Sequence, residues 1–190
     1  MKNITAQLED SASVKRKMMV SCVDSIVSAA KLMIGTIKSG AKILLCGNGG
    51  SAADSQHLAA ELVSKLKLER SAIPAIALTT NTSTLTAVAN DYDFSQIFVR
   101  QLEAFGKRND LLIGISTSGN SEDVLKAVDY AHKNGLRTIV ITGGNGGNLA
   151  GKGDVDIIVP SEDVQRIQEA HITVGHILCD ILEQSIFGNR

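Results

Sequence analysis

The sequence predicts a single α/β domain in which helices cover both faces of a five-stranded parallel sheet. Short apolar runs alternate with helical patterns after residue 40, as expected where crossover helices join strands. Several runs are nearly continuous Val, Ile and Leu, which is typical of strands buried on both faces. The chain has 190 residues and is 44% hydrophobic, which is enough for one core. We therefore expect a doubly wound, three-layer domain over residues 1–190, with a helical segment at 1–40 and an α/β core at 41–190.

Each element is predicted from its own pattern. Apolar residues recur at helical spacing from residue 8 to 38, where Ser39-Gly40 ends the pattern, and this segment allows one break at an unspecified position. The strands are predicted at residues 42–46, 73–78, 110–115, 137–141 and 156–159. The helices between them are predicted at 52–67, 83–89, 122–134 and 148–151. A long final helix is predicted at 161–187.

Composition and charge exclude several classes of protein. The net charge is −1, the isoelectric point is near 6.4 and only 3% of residues are aromatic, so we expect neither nucleic acid nor a membrane as a partner. No apolar run is long enough to span a bilayer, and the polar, acidic N-terminus is unlike a signal peptide. The three cysteines are odd in number and far apart, which argues against a disulfide framework. These features favour a cytoplasmic protein.

Three loops rich in Gly and small polar residues follow predicted strands, at residues 47–51, 116–121 and 142–147. Ligands bind at the carboxyl ends of the strands in such folds. The second loop, Ser-Thr-Ser-Gly-Asn-Ser, places four hydroxyls at the start of a helix, where an anion is favoured. A helix cap needs only one hydroxyl, so we predict a phosphate site there. The third loop has four glycines and is equally consistent with a phosphate contact and with a flexible turn.

The first loop leads into a helix that carries His57 and Glu61, which share one helical face because they are four residues apart. A dinucleotide-binding site is the alternative, since residues 47–52 contain Gly-x-Gly-x-x-Ala and Glu69 lies downstream. A helix that only packs would not need a His and a Glu on one face, so we favour chemistry on a small phosphorylated molecule. A P-loop is excluded because no Gly-Lys-Ser or Gly-Lys-Thr follows the glycines.

The final helix adds Gln168, His171 and His176. Gln168 and His176 are two turns distant and about 80° apart around the helix axis. Two imidazoles and a carboxylate make a plausible zinc set, so Gln168 or His176 could join His57 and Glu61. The alternative is two histidines on a partly buried helix or in a subunit contact, because sequence spacing cannot show that the two helices meet.

Five short segments together match a known pattern. They are Cys-Gly-Asn-Gly-Gly-Ser at 46–51, His-x-x-x-Glu at 57–61, Ala-Asn-Asp at 89–91, Gly-Ile-Ser-Thr-Ser-Gly-Asn-Ser at 114–121, and Arg-Ile-Gln-Glu-x-His at 166–171 with His176 after it. With these segments the chain resembles sugar isomerase (SIS) domain proteins, and within them the phosphoheptose isomerases, over nearly its whole length. The resemblance implies a flavodoxin-like, five-stranded parallel sheet and a homotetramer whose active sites lie between subunits.

The same resemblance implies a site and an activity. The implied substrate contacts are Asn48, Gly49, Gly50, Ser51, Glu61, Asn90, Asp91, Ser116, Thr117, Ser118, Ser121 and Gln168. One zinc ion per subunit would be held by His57, Glu61, Gln168 and His176. Glu61 and His176 would be the acid–base pair. The implied reaction converts sedoheptulose 7-phosphate to D-glycero-D-manno-heptose 7-phosphate through an enediol(ate), and it would supply heptose for lipopolysaccharide, capsule or another glycoconjugate.

A sister branch of the same fold is the alternative, because it binds the bacterial replication initiator and is not known as an enzyme. The chain resembles that branch in Gly-x-Ser-Ala-Ala-x-x-Gln-His at 49–57 and Pro-Ala-Ile-Ala-Leu at 74–78. That branch lacks the Glu and His that stand here at positions 61 and 176, so we favour the enzyme over a non-catalytic protein that binds the initiator or another regulatory partner.

Three positions depart from the pattern of the isomerases. Lys65 stands where Arg is common, Gln165 where Asp is expected, and Ala60 where Glu is common. Arg and Lys differ in the geometry of their hydrogen bonds, so these departures concern the identity of the sugar more than the type of reaction.

Overall fold

The computed structural model describes residues 3–188 and confirms the predicted fold class. Five parallel strands lie in the order β2-β1-β3-β4-β5. They are β1 (Ile43–Gly47), β2 (Ala75–Ala77), β3 (Leu111–Ser116), β4 (Arg137–Gly143) and β5 (Val155–Val159). Because the strand order reverses beside β1, the loops after β1 and β3 flank the crevice in which doubly wound folds bind ligands.

Helices cover both faces of this sheet. Within the described range they are α1 (Ile4–Ser21), α2 (Val23–Lys38), α3 (Gly50–Val63), α4 (Thr82–Asp91), α5 (Val99–Phe105), α6 (Glu122–Lys133) and α7 (Val164–Phe187). The single-domain assignment over 1–190 stays a prediction, and its residues 1–2 and 189–190 lie outside the described residues.

The one break allowed in the N-terminal helix falls at Cys22, which caps the end of α1 and the start of α2. Other predicted boundaries are wrong where tertiary contacts override the local pattern. The strand predicted at 73–78 has only three residues, and Pro74, which has no N–H to donate, precedes it at the sheet edge. Residues 148–151 do not form an α-helix, because a 3-10 turn occupies Gly147–Leu149. Helix α5 is absent from the predicted elements.

No single helix among residues 3–188 has the length and apolar composition needed to cross a bilayer, and α1 with α2 meets those two criteria only as a pair bent by 74°.

The core lies in two layers, one on each face of the sheet. Successive side chains of a strand point to opposite faces. Accordingly Ile43 and Leu45 of β1 pack with α1, α2, α3 and α7, whereas Leu44 and Cys46 pack with α4, α5 and α6. The two loops that follow β1 and β3 are thereby placed between a helical layer on each side.

Helices α3 and α7 pack side by side in the same direction. Gly50 faces Gln168, His57 meets His176, and the chain just after α3 meets Glu183, so contacts advance along both helices together. The helices approach closely at Gly175, where an added Cβ would come within 2.5 Å of the Leu58 side chain. This packing brings the polar residues of the two helices together.

Glu183 holds the chain that leaves α3. Its buried carboxylate accepts hydrogen bonds from the backbone N–H groups of Leu66, Lys67 and Leu68 at 2.8–3.0 Å and from Arg70 Nε at 2.8 Å. Burial alone would raise the pKa of Glu183, but these donors outweigh it and lower the pKa to about 2. The carboxylate therefore ends α3 earlier than predicted and fixes the register of α7 against it.

We predict that Glu183→Gln lowers the free energy of unfolding at neutral pH by about 3 kcal/mol, because it leaves the buried guanidinium of Arg70 without its counter-charge. The native carboxyl pKa is depressed, so this contribution is present above about pH 4.5 and is lost as pH falls toward 2. Urea unfolding at several pH values measures both effects.

The matched control is Glu69→Gln, which removes an exposed ion pair with Lys65 and should leave the stability nearly unchanged. Equal stability of the two variants would contradict the role of Glu183.

Candidate active site

The first two loops meet at the carboxyl edge of the sheet, because β1 and β3 are neighbours. In the loop after β1, Gly49 adopts a φ of 55°, which favours Gly at the turn into α3. Asn48 Nδ2 donates to both carboxylate oxygens of Asp123, at 3.0 and 2.9 Å, and so joins this loop to the start of α6. The predicted contacts Asn48, Gly49, Gly50 and Ser51 therefore lie beside the second loop.

The second loop has the features of an anion site. Ser116 Oγ and Ser121 Oγ are 2.9 Å apart and share a hydrogen bond. Ser121 is the N-cap residue of α6, yet its side chain does not cap the helix, so its hydroxyl is available to an anion at the helix N-terminus. Ser116 is buried, Thr117 is half-buried and Ser118 is exposed. The predicted set Ser116, Thr117, Ser118 and Ser121 is thus brought together on one loop.

The third loop supports the second one. The N–H of Gly143 donates to the Thr117 carbonyl at 3.1 Å, and the N–H of Leu149 donates to the Gly119 carbonyl at 3.0 Å. Gly147 has a φ of 55°, and an added Cβ there would clash with the Ser118 carbonyl oxygen. Of the two interpretations left open by the sequence, the contacts favour a structural turn that backs the anion loop.

A His–Glu–His cluster lies where α3 meets α7. One ligating atom from each of His57, Glu61 and His176 lies within 4.8 Å of the other two. His57 Nε2 is 2.8 Å from His176 Nε2 and 3.4 Å from a Glu61 carboxylate oxygen. One imidazole therefore donates to the other. The side chains of His57 and Glu61 are 47% and 22% exposed, so a small molecule can reach them.

Gln168 lies apart from this cluster. Its amide nitrogen would be 2.5 Å from a Cβ added to Gly50, which places the side chain at the start of α3. Gly50 and His57 are two helical turns apart, about 10 Å along α3. Three of the four predicted zinc ligands therefore come together, whereas Gln168 lies beside the first loop, and its part in metal binding stays a prediction.

Asn90 and Asp91 are placed differently from the other predicted contacts. They are exposed at the end of α4, and the Asn90 amide donates to Asp91 at 2.8 Å. Helix α4 packs in the layer opposite α3 and α7. Their contact with substrate stays a prediction, and the position leaves them available to a neighbouring subunit.

Asp54 is a residue that the sequence analysis did not select. It lies on α3 one turn before His57, and one of its carboxyl oxygens is buried without a hydrogen-bond partner among the described residues. Burial raises the pKa of Asp54, while the neighbouring His57 and His176 lower it. The spacing of three residues from His57 is the signal that could have identified it.

His171 has a structural environment. It is 1% exposed, and its Nε2 is 3.0 Å from the Thr142 carbonyl oxygen, to which it donates. Burial lowers the pKa of His171 to about 4, so the ring is neutral at physiological pH. It therefore supports the end of β4 and is separate from the His57–Glu61–His176 cluster.

Glu69 does not fit the dinucleotide alternative. It precedes β2 in the chain and forms an exposed ion pair with Lys65. In dinucleotide-binding folds the ribose-binding carboxylate lies about 20 residues beyond the glycines. Glu69 has that spacing, but its carboxylate is exposed and already paired with Lys65, so the phosphosugar interpretation is favoured.

The fold and the paired loops define the class of the protein. The SIS-domain family model matches residues 8–143, which include both the anion loop and the helix with His57 and Glu61. The chain is similar over its full length to a phosphoheptose isomerase of Clostridium acetobutylicum, with 53% identity covering 100% of this chain and 98% of that protein.

Solved structures agree with this comparison. A phosphoheptose isomerase from Francisella tularensis superimposes with a TM-score of 0.92 and 41% identity, covering 95% of this chain and 96% of that one. One from Neisseria gonorrhoeae gives a TM-score of 0.89 and 42% identity, covering 95% and 97%. The chain therefore belongs to the SIS-domain family and, within it, to the phosphoheptose isomerases, which are sugar phosphate isomerases.

We predict that Gly147→Ala weakens the binding of a sugar phosphate by at least about tenfold, because the added methyl displaces the anion loop. Gly151→Ala is the matched control, since Gly151 also has a positive φ, of 76°, but has open space around its Cβ position. Calorimetric titration of both variants measures the effect. Equal weakening in the two variants would show that backbone strain, and not the contact with the anion loop, is responsible.

Proposed function

We propose that the chain isomerises sedoheptulose 7-phosphate to D-glycero-D-manno-heptose 7-phosphate by proton transfer through an enediol(ate). The observation that carries the proposal is the cluster of His57 and Glu61, on the helix that follows the first Gly-rich loop, with His176 of α7. Their ligating atoms lie within 4.8 Å of one another. Similarity to phosphoheptose isomerases supports a phosphorylated heptose as substrate.

The phosphate would be held by the second loop. The four hydroxyls of Ser116, Thr117, Ser118 and Ser121 can donate hydrogen bonds, and the N-terminus of α6 adds backbone N–H groups. Because this end of the sugar does not react, its binding energy positions the carbons at the other end. Because the loop contains no Lys or Arg, the hydroxyls and the helix N-terminus would stabilise the charge of the phosphate as dipoles.

Glu61 is the proposed base and His176 the proposed acid. Glu61 takes a proton from C1 of the ketose while His176 protonates the oxygen on C2, which gives the enediol. Glu61 then returns its proton to C2, and the oxygen on C1 gives its proton back to His176 as the aldehyde forms. A proton donor beside the developing oxyanion stabilises the enediol(ate). His57, at 2.8 Å from His176, fixes the orientation of that ring.

We predict that Glu61→Gln lowers kcat by about a thousandfold and that His176→Ala lowers it by at least about a hundredfold, because each removes one proton-transfer group. Proton NMR on sedoheptulose 7-phosphate measures the loss of the ketose and the growth of an aldose anomeric signal. Glu69→Gln is the control and should keep normal turnover, because Glu69 is an exposed residue outside the site. Folded wild-type protein that gives no conversion, with or without added zinc, would contradict the proposed reaction.

Zinc is the proposed metal at the His57–Glu61–His176 cluster. Two imidazole nitrogens and one carboxylate oxygen form a donor set that catalytic zinc sites use, and their mutual separation is within 4.8 Å. Gln168 is proposed as a fourth ligand, which requires its side chain to move from Gly50. When bound, zinc supplies a Lewis acid that polarises a carbonyl oxygen. Because a carboxylate that ligates zinc is a weaker base, zinc ligation and proton transfer by Glu61 are proposed to alternate.

We predict that metal-stripped protein binds about one zinc ion per chain. His57→Ala should weaken this binding by at least about tenfold, because it removes one ligand of the His57–Glu61–His176 cluster. Competition with a chromogenic chelator measures the affinity independently of activity. His132→Ala is the matched control, because His132 is bonded to Thr138 at the opposite end of the sheet. Unchanged affinity in His57→Ala would contradict this site.

A homotetramer with active sites between subunits is also proposed. Large apolar side chains are exposed along α1, with Leu8 at 68%, Met19 at 73% and Val20 at 90% exposure, and a second copy could cover them. The exposed position of Asn90 and Asp91 fits a contribution to a neighbouring site.

The three unpaired cysteines fit a reducing compartment such as the cytoplasm, where heptose for lipopolysaccharide or another glycoconjugate would be made.

A further inference from the structure

A buried carboxylate outside the predicted site joins the first two loops. Asp123, the second residue of α6, is 3% exposed. Both of its oxygens accept from Asn48 Nδ2, at 3.0 and 2.9 Å, and one also accepts from the N–H of Val124 at 3.0 Å. Asn48 follows β1 whereas Asp123 follows the anion loop, so this contact couples two loops that are 75 residues apart in sequence.

A carboxylate is an unexpected neighbour for a phosphate site, because like charges repel each other. Burial raises the pKa of Asp123, and the hydrogen bonds from Asn48 and Val124 oppose that effect. The N-terminus of α6 offsets part of the repulsion. The part of the repulsion between Asp123 and a bound phosphate that is not offset indicates that the carboxylate has a role other than binding the phosphate.

The carboxylate determines which way the Asn48 amide faces. Ionised carboxylate oxygens can only accept hydrogen bonds, so the NH₂ group of Asn48 faces Asp123. The amide oxygen is then the atom of this side chain that is left for a ligand. An amide oxygen accepts from a hydroxyl group and does not bind the oxygens of a phosphate dianion. The arrangement therefore suits contact with a sugar hydroxyl.

We propose that Asp123 is a positioning residue, which holds Asn48 so that its amide oxygen accepts a hydrogen bond from a hydroxyl of the sugar phosphate. This inference rests on the proposed function and deepens it, because it assigns Asn48 to the sugar chain and not to the phosphate. Asp123 touches Asn48 and acts through it.

The sign of the effect of Asp123→Asn tests the proposal. This substitution keeps the shape of the side chain and removes its charge, so Asn48 is free to turn its NH₂ group toward the ligand. We expect affinity for sedoheptulose 7-phosphate to fall by about tenfold, as expected for the loss of one hydrogen bond held by a charged partner. Removal of a like charge alone would instead strengthen the binding of a phosphate. Calorimetric titration in a Glu61→Gln background gives the affinity without turnover.

A double-mutant cycle tests whether Asp123 acts through Asn48. Asn48→Ala should weaken binding about as much as Asp123→Asn, and the second substitution should have no further effect in the first background. With Glu61 intact, Asp123→Asn should raise KM while kcat stays within about twofold, because the lost contact is the same in the ground and transition states. Asp129→Asn is the matched control, since Asp129 lies on the same helix in an ion pair with Lys152 at 2.7 Å, and its affinity should be unchanged.

Unchanged or tighter binding in Asp123→Asn would overturn the inference. An equal loss of affinity when Asp123→Asn is added with Asn48 intact and when it is added to Asn48→Ala would also overturn it. Should Asp123→Asn fail to fold, normal affinity in Asn48→Ala would overturn it as well. In these cases the Glu61→Gln parent still binds the sugar phosphate, so the proposed function stands. If the parent shows no binding and the wild type no conversion, the proposed function fails, and this inference fails with it.

Discussion

The close contact between α3 and α7 is the constraint on which the candidate site depends. Gly175 allows Leu58 to pack directly against the backbone of α7, and at the far end Glu183 binds the backbone that leaves α3. His57 and His176 lie directly beside the first of these contacts, with their Nε2 atoms 2.8 Å apart. A shift of α7 by one turn would move these rings about 5.4 Å relative to each other and separate them. The packing of Leu58 on Gly175 and the buried ion pair of Glu183 therefore define the geometry of the His57–Glu61–His176 cluster, although none of these packing residues belongs to the cluster.

The site combines two kinds of polar group with different physical roles. The anion loop offers hydroxyls and a helix N-terminus, which bind charge through dipoles held by the backbone. The His57–Glu61–His176 cluster offers groups that exchange protons or bind a metal. In the proposed function, dipoles would anchor the phosphate without adding titratable cations beside the reacting carbons. Two such regions suit a substrate that is charged at one end and reacts at the other.

One carboxylate lies close to each region, and Asp54 is half-buried whereas Asp123 is buried. Asp54 lies beside the imidazoles and Asp123 beneath the anion loop, and burial raises the pKa of each. Such groups are costly to bury as ions, so each is expected to be compensated by a neighbour. Asp123 is compensated by Asn48 and Val124, whereas Asp54 keeps one oxygen without a partner among the described residues.

Local patterns in the sequence were sufficient for the fold class, the positions of the five strands to within three residues, the three loops, and the pairing of His57 with Glu61. These features depend on alternation, on helical periodicity or on loop composition, all of which are local properties of the chain. The break at Cys22, helix α5 and the early end of α3 required the tertiary structure, because packing and the Glu183 carboxylate override propensity there. The contacts of His57 with His176 and of Asn48 with Asp123 join residues 119 and 75 positions apart, which no local period reports. Only the packing of helices on a sheet decides which distant side chains meet, since side-chain register across an interface depends on complementary shape along the whole contact.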